Sequence, residues 1–273
     1  MQLVGTHDML AEGVHFTPHC PPADVGWKLV AVNLSDLAAC GAKPVGVLMG
    51  AGIGADRDEA WAIALVRGMA QALAQYAVPL LGGDTIRSGP ASVLALTAIG
   101  SVPPGASLAR SGAQDGDDLW VSGTIGDAGL GLKIALGRHS HDRALLKRYR
   151  RPVPRLALGL ALRGLATACM DVSDGLLLDA SRLAEGSGLA AAIVSGAIPL
   201  GTGAAQSGLS PAALAAMGDD YELLFTAPAR SREAVEAAAL SSRTAVSRIG
   251  AVLRGSGLVL DGDPIAPAGF RHC

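Results

Sequence analysis

Aromatic side chains are scarce. Three Trp, three Tyr and three Phe are spread over 273 residues, so a core has to be built from Ala, Val, Leu and Ile. Net charge is also small, at −2, which removes the electrostatic case for a nucleic-acid or anionic-membrane partner. The four cysteines, Cys20, Cys40, Cys169 and Cys273, form no Cys-x-x-Cys pair. Free thiols in a reducing cytoplasm are expected, not a disulfide framework. The start, Met1-Gln2-Leu3-Val4-Gly5-Thr6, lacks the basic residues and long apolar run of a signal peptide. Two long uncharged stretches, 91–109 and 189–217, are interrupted by Pro and Gly. Neither supplies the ~20 uninterrupted apolar residues of a membrane span.

Familiar catalytic motifs are missing too. There is no Walker A sequence, no Gly-x-Gly-x-x-Gly between a strand and a helix, no Gly-x-Ser-x-Gly elbow and no His-Glu-x-x-His. No serine or cysteine has an evident base in its local sequence. His15, His19 and Cys20 share a loop, but a fourth ligand at zinc spacing is not evident. Gly123-Thr124-Ile125-Gly126-Asp127 could receive a phosphate on its N–H groups, although a plain turn before a helix is the stronger reading.

What the chain has is glycine, 36 of them, and acids set singly in apolar runs. The clearest is Cys169-Met170-Asp171-Val172-Ser173-Asp174-Gly175-Leu176, which reads as strand, tight turn and helix. Asp171 falls at the strand end, and Ser173 or Asp174 is expected to cap the helix. A cap needs one such residue, so a carboxylate is left over. Two close carboxylates raise one pKa unless a cation intervenes. Asp8, Asp36, Asp84 and the Asp219-Asp220 pair repeat the pattern. Lone buried carboxylates are costly unless paired or metal-bound, so the five places suggest one shared site filled by cations such as Mg²⁺.

The periodicity predicts strands at 3–10, 44–52, 78–82, 91–102, 119–122, 189–195, 221–227, 245–253 and 257–260. Helices are expected at 23–41, 57–77 (capped by Asp56), 127–137, 155–167, 176–185 and 230–240. The basic stretch 138–155 reads as a solvated helix and its exit. Residues 196–217 read as irregular with short helical pieces. A Pro- and Gly-rich junction at 103–118 suggests two α+β domains meeting at the acids. Acids, glycines and scattered arginines suit phosphoryl transfer, where the protein positions phosphates and neutralises their charge. A phosphate acceptor would already be a nucleophilic anion, so no general base is required.

Taken in order, these motifs resemble the thiamine-monophosphate kinase family of the aminoimidazole ribonucleotide synthetase superfamily. The resemblance rests on Asp8-Met9-Leu10-Ala11-Glu12-Gly13-Val14-His15-Phe16, on Ala31-Val32-Asn33-Leu34-Ser35-Asp36-Leu37-Ala38-Ala39-Cys40-Gly41-Ala42 and on Gly82-Gly83-Asp84-Thr85. Arg110-Ser111-Gly112-Ala113, Asp171 to Leu176 and Gly218-Asp219-Asp220-Tyr221-Glu222-Leu223 follow in family order. It implies an α+β fold of two α/β domains. Residues 1–112 would form an N-terminal mixed-sheet, half-barrel domain, and 113–273 a sandwich-like C-terminal domain.

The resemblance also implies ATP-dependent phosphorylation of thiamine monophosphate to thiamine diphosphate, with several Mg²⁺ ions, in a homodimer joined through the N-terminal domains. Carried over by motif, Thr6, His7, Asp8, Asp36, Asp84, Asp171 and Asp174 would be metal ligands. Gly83, Asp84, Arg110, Ser173 and Tyr76 would face the nucleotide, and His15 and Asp219 the thiamine phosphate. The family also carries a Gly-Asp-Asp segment before its first strand of this type, and this sequence starts just after that point. A misplaced start is one reading. A short form that binds nucleotide and metal but turns over weakly is another, and a sister enzyme on a different substrate is a third. His7 stands where the family usually has Thr, and an aromatic substrate contact is replaced around Pro267, with Phe270 nearby.

Overall fold

The computed structural model describes residues 1–271; Cys273 lies outside the described residues. The first half runs β1 (Gln2–Ala11), α1 (Pro22–Ala39), β2 (Lys43–Ile53), α2 (Glu59–Gln75), β3 (Leu80–Arg87) and β4 (Val93–Val102). Its strands form a sheet in the order β1-β4-β2-β3, with β2 and β3 parallel and the other neighbours antiparallel. Successive strand residues point to opposite faces. Along β4, Leu94, Leu96 and Ala98 are fully buried against the helices. The other face is open. Leu3, Met9, Leu48 and Ile86 share it by register and are 63%, 50%, 41% and 61% exposed.

Helices α1 and α2 cover the closed face and cross at two glycines. A Cβ on Gly26 would lie 2.1 Å from the Leu65 carbonyl oxygen, and one on Gly68 would lie 1.8 Å from that of Ala23. Fourteen of the 18 residues of α1 are buried, as expected of a helix apolar on nearly every side. Gly41, at φ +63°, ends it as expected.

The second half runs β5 (Asp118–Ser122), α3 (Asp127–Ala135), α4 (Arg143–Arg150), α5 (Leu156–Ala161), β6 (Ala168–Asp171), α6 (Leu176–Glu185), β7 (Leu189–Ile193), α7 (Thr202–Gln206), α8 (Pro211–Ala215), β8 (Leu223–Ala227), α9 (Arg232–Ser241), β9 (Val246–Arg254), β10 (Gly257–Leu260) and β11 (Asp263–Ile265). Its sheet order is β11-β10-β7-β9-β5-β8-β6. A separate apolar cluster joins the halves: Ala38 and Ala39 of α1 pack with Leu158 and Leu162 around α5, and with Cys169, Leu223 and Phe225 of the second sheet.

Several local expectations are corrected. The strand expected at 78–82 starts at Leu80 and continues to Arg87, so Gly82-Gly83-Asp84 lies inside it. Asp58, not Asp56, caps α2, accepting from the Trp61 amide at 2.8 Å. The helix expected at 155–167 stops at Ala161, and Gly164 turns the chain at φ +73°. Strand β8 begins at Leu223, because Asp219 and Tyr221 both adopt left-handed backbone, at φ +71° and +49°.

The basic stretch is not simply solvated. Arg148 and Arg155 both donate to Glu222, whose side chain is 0% exposed, at 2.8 Å and 2.5–2.7 Å. A buried carboxylate needs such partners.

Candidate active site

A cavity of about 870 Å³ opens between the two halves. Its wall carries Asp8 from β1, Asp36 from α1, Asp171 from the end of β6, Ser173 and Asp174 from the following loop, and Asp219 from the loop before β8. His15, Arg110 and Phe270 also line it. Eight residues singled out in the sequence as site residues thus converge: Asp8, His15, Asp36, Arg110, Asp171, Ser173, Asp174 and Asp219.

The Asn33-Leu34-Ser35-Asp36 run on α1 explains part of this convergence. Asn33 is fully buried and receives the Asp8 amide on its Oδ1 at 3.0 Å, pinning β1 where Asp8 emerges. Thr6 Oγ1 donates to the Asn33 carbonyl at 3.2 Å on the same side. Ser35, also buried, donates to Asp171 Oδ2 at 2.6 Å. Asp36, inside the helix as expected, faces the cavity.

The turn after β6 departs from the expected cap. Gly175, at φ +121°, precedes the helix and no side chain at that position caps it. Instead Asp179, one turn into α6 and 0% exposed, reaches back. Its Oδ2 accepts the amides of Ser173, Asp174 and Gly175 at 3.1, 3.0 and 3.2 Å. Arg182 donates to Asp174 and, at 3.1 Å, to Asp179 Oδ1. The Gly218 loop closes on this turn from the other side: the Asp219 amide donates to the Ser173 carbonyl at 2.8 Å. A Cβ on Gly218 would sit 2.4 Å from that oxygen, so only glycine permits the approach.

The electrostatics follow from burial. Desolvation, then the neighbouring carboxylates of Asp171 and Asp8, pushes the Asp36 carboxyl well above its ordinary range. Burial likewise raises Asp171, with the Ser35 hydrogen bond opposing it. Asp179 is pushed up to about 6, chiefly by burial, against the amides it accepts. Clustered carboxylates held up in this way are the environment a hard cation relieves. Among the described residues, no three His, Cys, Asp or Glu side chains form a ready chelate. A hard cation here would take only part of its shell from these side chains and the rest from water or phosphate oxygens. Asp8, Asp36, Asp171 and Asp174 are the residues that would hold it.

His15 has a defined tautomer. Its Nδ1 accepts the Ala11 amide at 3.0 Å, so in the neutral ring the proton is on Nε2.

Five expected site residues are not on this wall. Thr6 is turned to Asn33. His7 is on the open face of the first sheet, with Nδ1 2.8 Å from Thr97 Oγ1. Gly83 and Asp84 lie on β3, the opposite edge of the sheet from β1. Tyr76 ends α2 with its ring 6.2 Å from that of Trp27 and its hydroxyl buried. Conversely, Lys133, Arg138, Met217 and Tyr221 line the cavity and were not singled out. Arg182 was also missed, although its place two turns after Asp174 at the head of a helix is a usable signal.

Residues 1–102 match the model of the AIR synthase related protein, N-terminal domain, and residues 114–263 that of the AIR synthase related protein, C-terminal domain. The class is therefore that of two-domain AIR synthase related proteins. The thiamine-monophosphate kinase of Caulobacter vibrioides is 39% identical over 265 residues, covering 94% of this chain and 75% of that protein. The crystal structure of the thiamine-monophosphate kinase of Stenotrophomonas maltophilia K279a superposes with a TM-score of 0.88 at 41% identity, covering 97% of this chain and 86% of that one. AaThiL complexed with AMPPCP and TMP superposes at 0.89 and 32% identity, covering 99% and 87%. The chain belongs to the thiamine-monophosphate kinase family.

Proposed function

We propose that this chain transfers the γ-phosphoryl group of ATP to the phosphate of thiamine monophosphate, giving thiamine diphosphate and ADP. The observation that carries the reading is the convergence of Asp8, Asp36, Asp171 and Asp174 with Arg110 on one cavity wall, in a chain of this family. The bond from the γ-phosphorus to the ADP oxygen breaks, and a bond to an oxygen of the substrate phosphate forms. That oxygen is already anionic, so no residue needs to remove a proton. Bound Mg²⁺ would supply charge neutralisation on the transferring group.

The protein's share is placement. Asp8, Asp36, Asp171 and Asp174 present hard oxygen donors. Arg110 and the Ser173 turn face the nucleotide phosphates, and His15 and Asp219 face the thiamine phosphate. Asp36 and Asp171 have to give up their protons to act as ligands, so burial makes cation binding pH-dependent.

Gly83 and Asp84 reach a site only with a partner copy. The open sheet face carries Leu3, Met9, Leu48 and Ile86, an apolar patch suited to burial against its own copy. Two sheets closed face to face, with β3 of one copy beside β1 of the other, would bring Asp84 of each towards the partner's site. The functional unit in this reading is a homodimer joined through residues 1–112, with 113–273 as the second domain. His7 lies on that same open face and would enter such an interface together with Asp84. Among the described residues no helix is long and apolar enough to cross a membrane, and Cys20, Cys40 and Cys169 are free. Both fit a cytoplasmic enzyme.

The test is an assay of the purified chain with ATP, thiamine monophosphate and Mg²⁺, separating thiamine phosphates by chromatography. Mg²⁺-dependent thiamine diphosphate is the expected product. Its absence in wild-type protein that Mg²⁺ and ATP still stabilise against melting would overturn the substrate assignment.

A further inference from the structure

Lys28 is a lysine in the wrong place for a surface charge. It sits mid-way along α1 and is 2% exposed. Lysine is almost never buried unless paired. Its ammonium donates to Asp219 Oδ1 at 2.7 Å and to the His15 carbonyl at 3.2 Å, and stands 4.2 Å from the centroid of the Tyr149 ring. Tyr149 in turn donates its hydroxyl to the same His15 carbonyl at 3.3 Å. One charge thus ties the loop after β1, in the first half, to the loop before β8, in the second. Those loops carry His15 and Asp219, the two residues assigned above to the thiamine phosphate.

Lys28 does not line the cavity. Two of its three N–H donors go to the His15 carbonyl and Asp219, and the ammonium stands over the Tyr149 ring, so it meets the cavity through those two loops. Asp219 differs: its side chain is 24% exposed, it lines the cavity, and its backbone is held left-handed at φ +71°. An unneutralised carboxylate there would add to a wall already crowded with Asp8, Asp36, Asp171 and Asp174 and would repel an anionic substrate. The ammonium behind it cancels the charge and fixes the carboxylate as an oriented acceptor for an N–H or a cationic ring. A substrate that joins an amine-bearing cation to a phosphate offers both.

We propose that Lys28 is a positioning residue for the phosphorylated acceptor, acting from behind the wall through Asp219 and the His15 loop. The proposal rests on the kinase reading above and goes further, because it assigns acceptor recognition to a residue that touches no ligand.

The test is steady-state kinetics of Lys28→Met, Asp219→Asn and the double variant beside wild type, varying each substrate in turn. In Lys28→Met the KM for thiamine monophosphate is expected to rise about ten-fold or more, the scale of one lost charge-assisted hydrogen bond. The KM for ATP should stay within about two-fold, since the nucleotide groups are held elsewhere. In the Asp219→Asn background, Lys28→Met should add little, because the two residues act as a unit. Lys28→Arg, which keeps the charge, should recover part of the loss. Equal shifts in both KM values, or additive effects in the cycle, would show a merely structural lysine and overturn the proposal. If Lys28→Met alone does not fold, the double variant, which strands no carboxylate, is compared with Asp219→Asn and decides. Wild-type turnover with an unshifted Lys28→Met overturns this proposal alone. Wild type that makes no thiamine diphosphate overturns the kinase reading and this proposal with it.

Discussion

The Ser35 hydroxyl, on the long helix of the first half, donates to Asp171 Oδ2 of the second half at 2.6 Å across 136 residues of sequence. Both residues are buried. One hydrogen bond therefore orients a cavity carboxylate and joins the two sheets' domains. Replacing Ser35 by Ala strands an acceptor and should cost about 1–3 kcal/mol. Urea unfolding of the metal-free protein would measure it. An unchanged midpoint would mean that water takes the donor's place.

The buried pair Asp36 and Asp171 sets a pH dependence. Burial and like charges raise both carboxyls above the unfolded value, so between those limits the folded state holds more protons than the unfolded state. Stability is then full at and below the ordinary carboxylate range, about pH 4, and falls as pH rises through the raised folded values. Metal-free protein should melt lower at about pH 8 than at about pH 5. Mg²⁺ favours the deprotonated pair and should offset that fall. Asp36→Asn should flatten the pH profile of the metal-free protein and abolish turnover. Differential scanning calorimetry with and without Mg²⁺ reads the first effect.

Asp179 holds the Ser173–Gly175 turn by three amide hydrogen bonds. Asp179→Ala should destabilise the protein by about 1–3 kcal/mol and raise the KM for ATP more than that for the acceptor. Asp179→Asn keeps one acceptor oxygen and should fall between. Equal behaviour of the two variants would show that the amides do not depend on this side chain.

Glu222 is fully buried between Arg148 and Arg155 and also accepts from Ser122 at 2.6 Å. Removing it leaves two guanidinium groups partly desolvated. Glu222→Ala should cost about 3–5 kcal/mol, and a thermal melt of the variant would show it. A loss below about 1 kcal/mol, the scale of an exposed pair, would mean that the cluster is hydrated in solution.

The open sheet face offers a test of assembly. Ile86 and Leu48 are 61% and 41% exposed there. Leu48→Asp should shift the sedimentation coefficient from that of a dimer to that of a monomer and reduce turnover with it. A monomeric wild type would remove the route by which Asp84 is proposed to reach a site.

Much of this was legible in the sequence because acids in apolar runs are costly anywhere but a site. Asp8, Asp36, Asp171, Asp174 and Asp219 stand out by that rule and converge, whereas Asp84, picked out by the same rule, lies on β3 away from the wall, and Asp220 is turned to the Gly126 and Ala128 amides. Strand and helix positions in the first half follow from plain periodicity, as in the alternation of β4. Failures have specific causes. Ser173 and Asp174 do not cap α6 because Asp179, from inside the helix, accepts the amides of the turn that contains them. Arg148 and Arg155 looked solvated because local sequence cannot show a buried Glu222 more than 60 residues on, at separations of 74 and 67. Lys28 was invisible for the same reason: its partner Asp219 is 191 residues away.

Helix α1 packs against α2, β1 and β4 on one side and against α5, β6 and β8 on the other. Its contact with α5 is backbone-close, since a Cβ on Gly159 would lie 2.0 Å from the Ala38 carbonyl oxygen. Swinging one half away from the other like a clamshell would pull this helix out of one of its two cores. Opening and shutting the two halves as rigid bodies is thus the costly way to admit a substrate. The cheaper route runs past the exposed part of the lining, where Val14 is 59% and Phe270 48% exposed, so side-chain and loop shifts there are expected to admit substrate before any domain rotation does.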